Sequence, residues 1–268
     1  IPPTMAATDM TIDGSAAIVT ASGQGIGKQI ATQLSNAGVN VVINDVDEDA
    51  LATAEDDLTG DGGDIASVHG DASDTDVGDQ LVETSVDAFG GVDIIVNNVG
   101  IAGPTKSCED IELGEFLNTL SVNLGSLFNV TSTAIPHLRK SDDGRIVNLS
   151  SMSGKRPLRD RTPYTTAKMG VIGFTRTLAI ELAEDAINVN AVCPGSVRGP
   201  RLEAVMEGQA ESQDRPYEEV VEEFRSASPM DTFVEAGDVA DLVCYLCSRQ
   251  SRKITGQDVN VTGGIVMY

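Results

Sequence analysis

Ala17-Ile18-Val19-Thr20-Ala21-Ser22-Gly23-Gln24-Gly25-Ile26-Gly27 decides the fold. A short apolar run, long enough for one strand, enters a glycine-rich turn, and a helical pattern opens at Gly25. Backbone N–H groups at such a turn can approach a pyrophosphate closely, and the positive end of the helix dipole favours its charge. A plain tight turn would use glycines too, so the context has to decide. Working outward, apolar β-rich runs at 16–20, 40–44, 65–69, 93–97, 144–149, 188–192 and 258–261 alternate with helical patterns at 25–37, 50–58, 77–89, 113–138, 163–183 and 238–248. Continuous apolar strands alternating with helices imply a parallel sheet covered on both faces. The expectation is a tail at 1–12, then one doubly wound α/β domain over 13–268, with about seven strands and helices on both faces. One segment breaks the rhythm: 199–232 is polar and acidic, carries Pro200, Pro216 and Pro229, and reads as a flap or lid inserted before the last helix and strand.

The second strand ends in Asp45, 18 residues after Gly27. An acid at about that distance hydrogen-bonds the adenosine ribose hydroxyls of a dinucleotide. It also repels a 2′-phosphate, and no Arg or Lys follows within 46–50, so the expected cofactor is NAD (NADH) rather than NADP. The alternative is that Asp45 caps the helix starting near Glu48.

Further on, Gly144-Arg145-Ile146-Val147-Asn148-Leu149-Ser150-Ser151 runs into a loop, and Thr162-Pro163-Tyr164 opens a helix that reaches Lys168. Pro163 suits the first helical position, with Thr162 as its cap. Tyr164 and Lys168 are then i and i+4 on one helix face. A phenol with a pKa near 10 is a poor base at neutral pH, but a neighbouring ammonium stabilises the phenolate. The pair therefore makes a general acid/base suited to an alcohol or carbonyl, and a serine at a strand end can hold the same oxygen. A chance surface pair would account for this spacing taken alone.

These motifs, in this order, resemble the short-chain dehydrogenase/reductase family, a Rossmann-fold family, from about residue 13 to 264. The resemblance rests on residues 20–27, Asp45, Asp71, Asn97-Asn98-Val99-Gly100, Asn123, Ser151, Tyr164, Lys168 and Pro194-Gly195. It implies that Tyr164 is the acid/base and that Lys168 binds the nicotinamide ribose and lowers the Tyr164 pKa. Ser151 would hold the substrate oxygen, with Ser150 the second choice, and Asn123 would hold a water joining Lys168 to solvent. Residues 18–27, among them Thr20, Ser22, Gly23, Gln24, Gly25, Ile26 and Gly27, would carry the phosphates. Asp71 and Ala72 would reach the adenine, while Asn97, Val99 and Gly100 would line the adenosine side. Residues 194–197, among them Pro194, Gly195 and Val197, would meet the nicotinamide. Three departures accompany the match. The family's usual first glycine is Ala21, Asn-Asn-Ala-Gly is Asn-Asn-Val-Gly, and the threonine common shortly after Pro-Gly is absent, with Arg198 and Gly199 nearby. Family members form homodimers or homotetramers through helices that correspond here to 113–138 and 163–183.

Composition narrows the remaining classes. The chain has 268 residues, 41% of them hydrophobic, with 41 acidic against 18 basic side chains and a net charge of −23. Nucleic acid is not an expected partner, because phosphate contacts need clustered Lys and Arg. The apolar content is too high for a disordered acidic chain. Lys is scarcer than Arg, six against twelve. Acidic, Lys-poor surfaces resemble those of proteins from salt-loving archaea or bacteria, where molar salt shortens the Debye length to about 3 Å and mutes self-repulsion; an ordinary acidic protein is the other reading. No run approaches the roughly 18–20 apolar residues of a membrane helix. The start has no basic segment followed by an apolar one, so a cytoplasmic location without membrane association is expected. Met5 and Met10 are candidate natural starts, and 1–4 are set aside. Cys244 and Cys247 form C-x-x-C within an apolar helical pattern, no second pair completes a zinc site, and Cys108 and Cys193 stand apart. Core packing is the expected role of the pair, and no metal is expected.

The substrate is less constrained. Lys155, Arg156, Arg159 and Arg161 lie between Ser151 and Tyr164, and Arg198 and Arg201 follow Pro194-Gly195, so six of 18 basic residues flank the expected site. A cationic rim attracts an anion. The expectation is a small-molecule, anionic substrate met by Ser151, Arg159 and Arg198: a 3-oxoacyl thioester, or a sugar or hydroxy acid. Pairing of these cations across a subunit interface is the alternative. The expected function is NAD(H)-dependent interconversion of a secondary alcohol and a ketone. The alternatives are a non-catalytic nucleotide sensor on the same fold and an NAD-dependent epimerase or dehydratase.

Overall fold

The computed structural model describes residues 12, 16–60 and 62–268, so the expected tail and domain start lie outside the described residues apart from Ile12. Seven strands, β1 (Ala16–Val19), β2 (Asn40–Asp45), β3 (Ile65–His69), β4 (Ile94–Asn97), β5 (Arg145–Leu149), β6 (Asn188–Pro194) and β7 (Asp258–Val261), form one sheet in the order β3-β2-β1-β4-β5-β6-β7. Every pairing is parallel. The pleat distributes each apolar run between two cores. Ala17 and Val19 face one with Val41, Ile43 and Val147, while Ile18 faces the other with Val42, Ile95 and Ile146. On the first face pack α1 (Gly25–Asn36), α2 (Glu48–Leu58) and α9 (Ala236–Cys247); on the second, α3 (Thr75–Phe89), α5 (Ser126–Leu138) and α6 (Thr162–Glu181). The result is a doubly wound Rossmann sheet. Because β1 sits between β2 and β4, the winding reverses there, and the carboxyl ends of β1 and β4 splay into the crevice where open α/β sheets take ligands.

Two local expectations are corrected, and one alternative reading, Asp45 as a helix cap, falls away. The helical pattern at 113–138 is α4 (Leu113–Leu120), one π-turn (Ser121–Gly125) and α5. The cap of α2 is Asp47, whose carboxylate accepts from the Ala50 N–H at 3.0 Å, so Asp45 is not spent on capping. Helix α6 begins at Thr162, with Arg161 in the cap position and no side-chain cap bond; Pro163, which has no N–H, leaves one fewer donor there to satisfy. The segment read as a flap holds α7 (Pro200–Gln213) and α8 (Tyr217–Ser226), packed through Met206, Ala210 and Val220. Its base is cinched where Arg198 N–H donates to the Val234 carbonyl and Val234 N–H to the Ser196 carbonyl, both at 2.9 Å. Among the described residues no helix is long and apolar enough to cross a membrane.

Candidate active site

Helix α6 carries Tyr164 and Lys168 beside the end of β5. Lys168 is buried and donates from Nζ to the Leu149 carbonyl at 2.9 Å, which aims the ammonium past the strand end. Its Nζ lies 5.8 Å from the Tyr164 ring centre. Burial pulls the Lys168 pKa down to about 8, against the opposing pull of Tyr164. Burial by itself would push the Tyr164 phenol up; Arg201, Lys168, the Ser151 hydroxyl and Arg161 together outweigh it and hold the phenol below its usual value. Ser151, at the loop after β5, is buried and accepts from Ser153 N–H at 3.1 Å. The Ser150 hydroxyl instead donates to the Lys168 carbonyl at 2.8 Å, tying the loop to α6.

Asn123 comes from the π-turn. Its Nδ2 donates to the carbonyls of Thr119 at 2.8 Å and Ile101 at 3.1 Å, while its buried Oδ1 has no partner among the described residues. The Asn123 side chain thus occupies the carbonyl four residues back that a π-turn releases from the α-helical ladder. Gly100 closes the arrangement: a Cβ there would stand 2.6 Å from Asn123 Oδ1 and 3.1 Å from Lys168 Nζ. Tyr164, Ser151 and Lys168 line one cavity, and Asn123 stands behind Gly100 with its acceptor free for a water.

That cavity opens into a groove along the carboxyl ends of β1, β2 and β4. Gln24, Gly25, Ile26, Asp45, Asp71, Ala72, Val99, Gly100 and Val197 line the groove, and Pro194 and Gly195 line the cavity. Five expected cofactor residues do not reach it. Asn97 turns inward, donating to Thr131 Oγ1 at 2.9 Å and Asn148 Oδ1 at 2.8 Å, because its position on β4 points into the second core; Asn98 lines the groove instead. Thr20 Oγ1 accepts from Asn98 N–H at 3.0 Å, and Ser22 Oγ donates to the Val19 carbonyl at 2.8 Å. Gly23 N–H donates to Asp45 Oδ2 at 3.0 Å, and Gly27 lets α1 press so close that a Cβ would lie 2.2 Å from the Ala21 carbonyl oxygen. These four shape the turn from behind. No Lys or Arg lies beside Asp45 in the groove lining; the one basic lining residue, Arg201, is at the end shared with the cavity.

The basic loops divide differently from expectation. Arg159 is 82% exposed, 3.8 Å from the Asp160 carboxylate, and Arg198 is 61% exposed, bonded to Glu235 at 2.9 Å and stacked on Phe233; neither lines the cavity. Lys155 bonds Asp258 Oδ2 at 2.7 Å and the Tyr268 carbonyl at 3.0 Å. Each of these faces solvent or meets a local acceptor before it can turn inward. The cavity arginines are Arg161 and Arg201. Arg161 precedes Tyr164 by three positions and Lys168 by seven, a helical repeat that signals a shared face. Ser196, whose buried hydroxyl has no partner among the described residues, also lines the cavity, within the stretch 194–197 expected at the nicotinamide.

A family model described as Enoyl-(Acyl carrier protein) reductase matches residues 20–266. The D-beta-hydroxybutyrate dehydrogenase of Rhizobium meliloti (strain 1021) is 34% identical over 251 residues, covering 92% of this chain and 97% of its own. The chain belongs to the short-chain dehydrogenase/reductase family. Two solved members of similar fold are NAD+-bound xylitol dehydrogenase and a variant of actinorhodin polyketide ketoreductase with NADPH. The first has a TM-score of 0.91 at 27% identity, covering 94% of this chain and 99% of that one. The second has a TM-score of 0.90 at 32% identity, covering 97% and 100%. This short-chain dehydrogenase/reductase is accordingly an oxidoreductase with a nicotinamide dinucleotide as its expected cofactor.

Proposed function

We propose that the chain interconverts a secondary alcohol and a ketone with NAD(H), and that its substrate is anionic. The observation that carries this is the phenol of Tyr164, held below its ordinary pKa beside Lys168 and Ser151 in a cavity continuous with the dinucleotide-sized groove. Groove and cavity together fit the cofactor: an acid ends β2 and a glycine turn opens α1 at the groove, while Ser196 Oγ in the cavity and Asn123 Oδ1 behind Gly100 are buried acceptors without partners among the described residues. When bound, the nicotinamide would exchange a hydride with the carbinol or carbonyl carbon. Tyr164 gives the proton to the carbonyl oxygen or takes it from the alcohol, Ser151 orients that oxygen, and Lys168 holds the ribose and favours the phenolate. Asn123 Oδ1 anchors a water through which Lys168 reaches solvent.

Preference for NAD(H) is supported by Asp45, whose carboxylate sits on Gly23 with no cation beside it to accept a 2′-phosphate. Cytoplasmic residence is supported by four free cysteines, and a salt-rich setting by the charge of −23. Assembly as a homodimer or homotetramer is supported by Leu113, Leu117, Phe128, Met169 and Ile180, large apolar side chains left exposed on α4, α5 and α6. The deciding experiment measures kcat/KM with NADH and NADPH on a panel of oxo acids and neutral ketones in high salt. NADH should be preferred, and Asp45→Ala should narrow the gap. A preference for NADPH overturns the cofactor assignment; tight NADH binding without turnover of any carbonyl favours the sensor.

A further inference from the structure

The cavity around Tyr164 is cationic in a protein that is otherwise strongly acidic. Arg161, Lys168 and Arg201 line it, and no Asp or Glu does. Arg161 is 3% exposed, and its guanidinium makes a single hydrogen bond among the described residues, from Nη1 to Thr105 Oγ1 at 2.9 Å. Its carbon lies 4.9 Å from the Tyr164 ring centre, and that of Arg201 lies 5.6 Å from it. No carboxylate pairs with either arginine among the described residues, although ten other basic side chains have ion-pair partners. A buried guanidinium without a counter-charge is costly, and here burial together with the nearby Arg201 works against its charge, with only Tyr164 opposing. An anion supplied by a ligand removes that cost.

We infer that Arg161 and Arg201 form a carboxylate clamp that selects short, free hydroxy acids and their oxo acids. The inference rests on the oxidoreductase reading above and specifies its substrate. Both guanidiniums stand over the ring whose hydroxyl serves the reacting oxygen. With the guanidinium carbons 4.9 and 5.6 Å from the ring centre, a carboxylate bound by either stays within a short chain's reach of that oxygen, as in a 2- or 3-hydroxy acid. The cavity is small, about 130 Å³, and Leu158, Leu202, Val205 and Phe224 give it an apolar wall suited to a short aliphatic chain. A thioester places uncharged sulfur where the clamp holds its charge, so acyl carriers are disfavoured. Arg161 comes from a fixed position at the head of α6. Arg201 comes from the first turn of α7 and is exposed, so it completes the clamp from the flap side.

The test uses pyruvate, acetoacetate, their methyl esters and the N-acetylcysteamine thioester of acetoacetate as probes, with NADH, in molar KCl. For the wild type, kcat/KM should favour a free acid over its ester. Arg161→Leu and Arg201→Leu should each raise KM for the acid by roughly 10- to 100-fold, the worth of a charge-assisted bond, and collapse the acid-to-ester ratio. Arg161→Lys should restore part of the ratio. NADH affinity, read by fluorescence, should stay within about twofold in each arginine variant, well under the tenfold that 1.4 kcal/mol represents. Arg159→Leu and Arg198→Leu, outside the cavity, should keep the wild-type ratio. Acid and ester penalised alike, a wild-type preference for the thioester, or loss of NADH affinity in Arg201→Leu overturns the clamp while leaving the oxidoreductase reading intact. If no probe is turned over, binding of the same acids to the protein–NADH complex decides: arginine-dependent binding keeps the clamp, and no binding overturns it. Should Arg161→Leu fail to fold, exposed Arg201 carries the test.

Discussion

On the proposed function Tyr164 moves the proton at the substrate oxygen, so its removal should separate chemistry from binding. Tyr164→Phe should lower kcat by about 10²- to 10⁴-fold while NADH affinity stays at the wild-type value, a pairing checked by steady-state rates and fluorescence titration. Alcohol oxidation should rise with pH on a limb centred below the ordinary tyrosine value, since the deprotonated phenol is the base. Lys168 carries a stability consequence. Its folded pKa of about 8 lies below the ordinary lysine value, so between those values the unfolded chain holds more protons and stability rises with pH; below 8 the whole burial penalty is present. Lys168→Met should therefore raise the Tm of the cofactor-free protein at pH 7, and the gain should vanish as pH passes about 10. The penalty is on the order of 3 kcal/mol, less about 1 kcal/mol for the lost bond to Leu149. A melting curve insensitive to this change would contradict the depressed pKa. At this scale the gathering of Tyr164, Lys168 and Ser151 at one cavity was legible, because it depends on local spacing along one helix and one strand end. Arg159 and Arg198 misled because proximity in sequence does not state which way a loop side chain turns, and local acceptors decided that.

Secondary-structure elements were legible wherever burial repeats with a simple period. The central strands were evident from apolar runs, since a strand covered on both faces leaves little room for polar residues. The edge strands β3 and β7, only partly buried and carrying Ser67, Asp258 and Asn260, were read from their place in the alternation with helices. The π-turn was not: Ser121–Gly125 keeps helical apolar periodicity, and the insertion shows only in which carbonyl Asn123 bonds. Asn123→Leu should thus cost stability as well as activity. It strands the Thr119 and Ile101 carbonyls, worth about 1–3 kcal/mol if they find no water, and it removes the acceptor beside Lys168. Thermal unfolding and kcat measured together check this; a fall in kcat with unchanged stability would mean the π-turn does not lean on that side chain. The C-x-x-C pair on α9 behaves as its pattern suggests, with both thiols in the first core and burial pushing Cys244 up to about 12. At the turn before α1, Ala21 holds φ at +50°, the left-handed region that favours glycine. A left-handed alanine costs roughly 1–2 kcal/mol, partly offset by its stiffer unfolded chain, so Ala21→Gly should stabilise by about 0.5–1 kcal/mol in a denaturant melt.

For the whole molecule, charge sets the conditions under which everything else is measured. With 41 acidic and 18 basic side chains, complete pairing would still leave the surface at −23, and self-repulsion opposes the compact state. Added salt has two opposing effects. It weakens the exposed ion pairs, such as Lys28–Asp57 and Arg139–Asp185, each worth under about 1 kcal/mol. It also screens every like-charge pair, including distant ones, as the Debye length falls from about 10 Å at 0.1 M to about 3 Å at 1 M. Repulsive pairs outnumber attractive ones in so acidic a chain, so the second effect wins. The Tm should rise steadily as KCl goes from about 0.1 M to molar levels, together with the oligomer mass seen by light scattering, because subunits sharing this charge repel as well. Salt and solute can both strengthen apolar burial, so sucrose, which does not screen, is the control: it should recover only part of the rise. Protonation supplies a second check. As pH falls towards the isoelectric point near 4.2, the acidic groups lose charge and the KCl dependence should shrink. A Tm that is flat or falling in KCl at neutral pH, or one whose salt dependence persists unchanged near pH 4.2, would mean that repulsion is not what salt relieves.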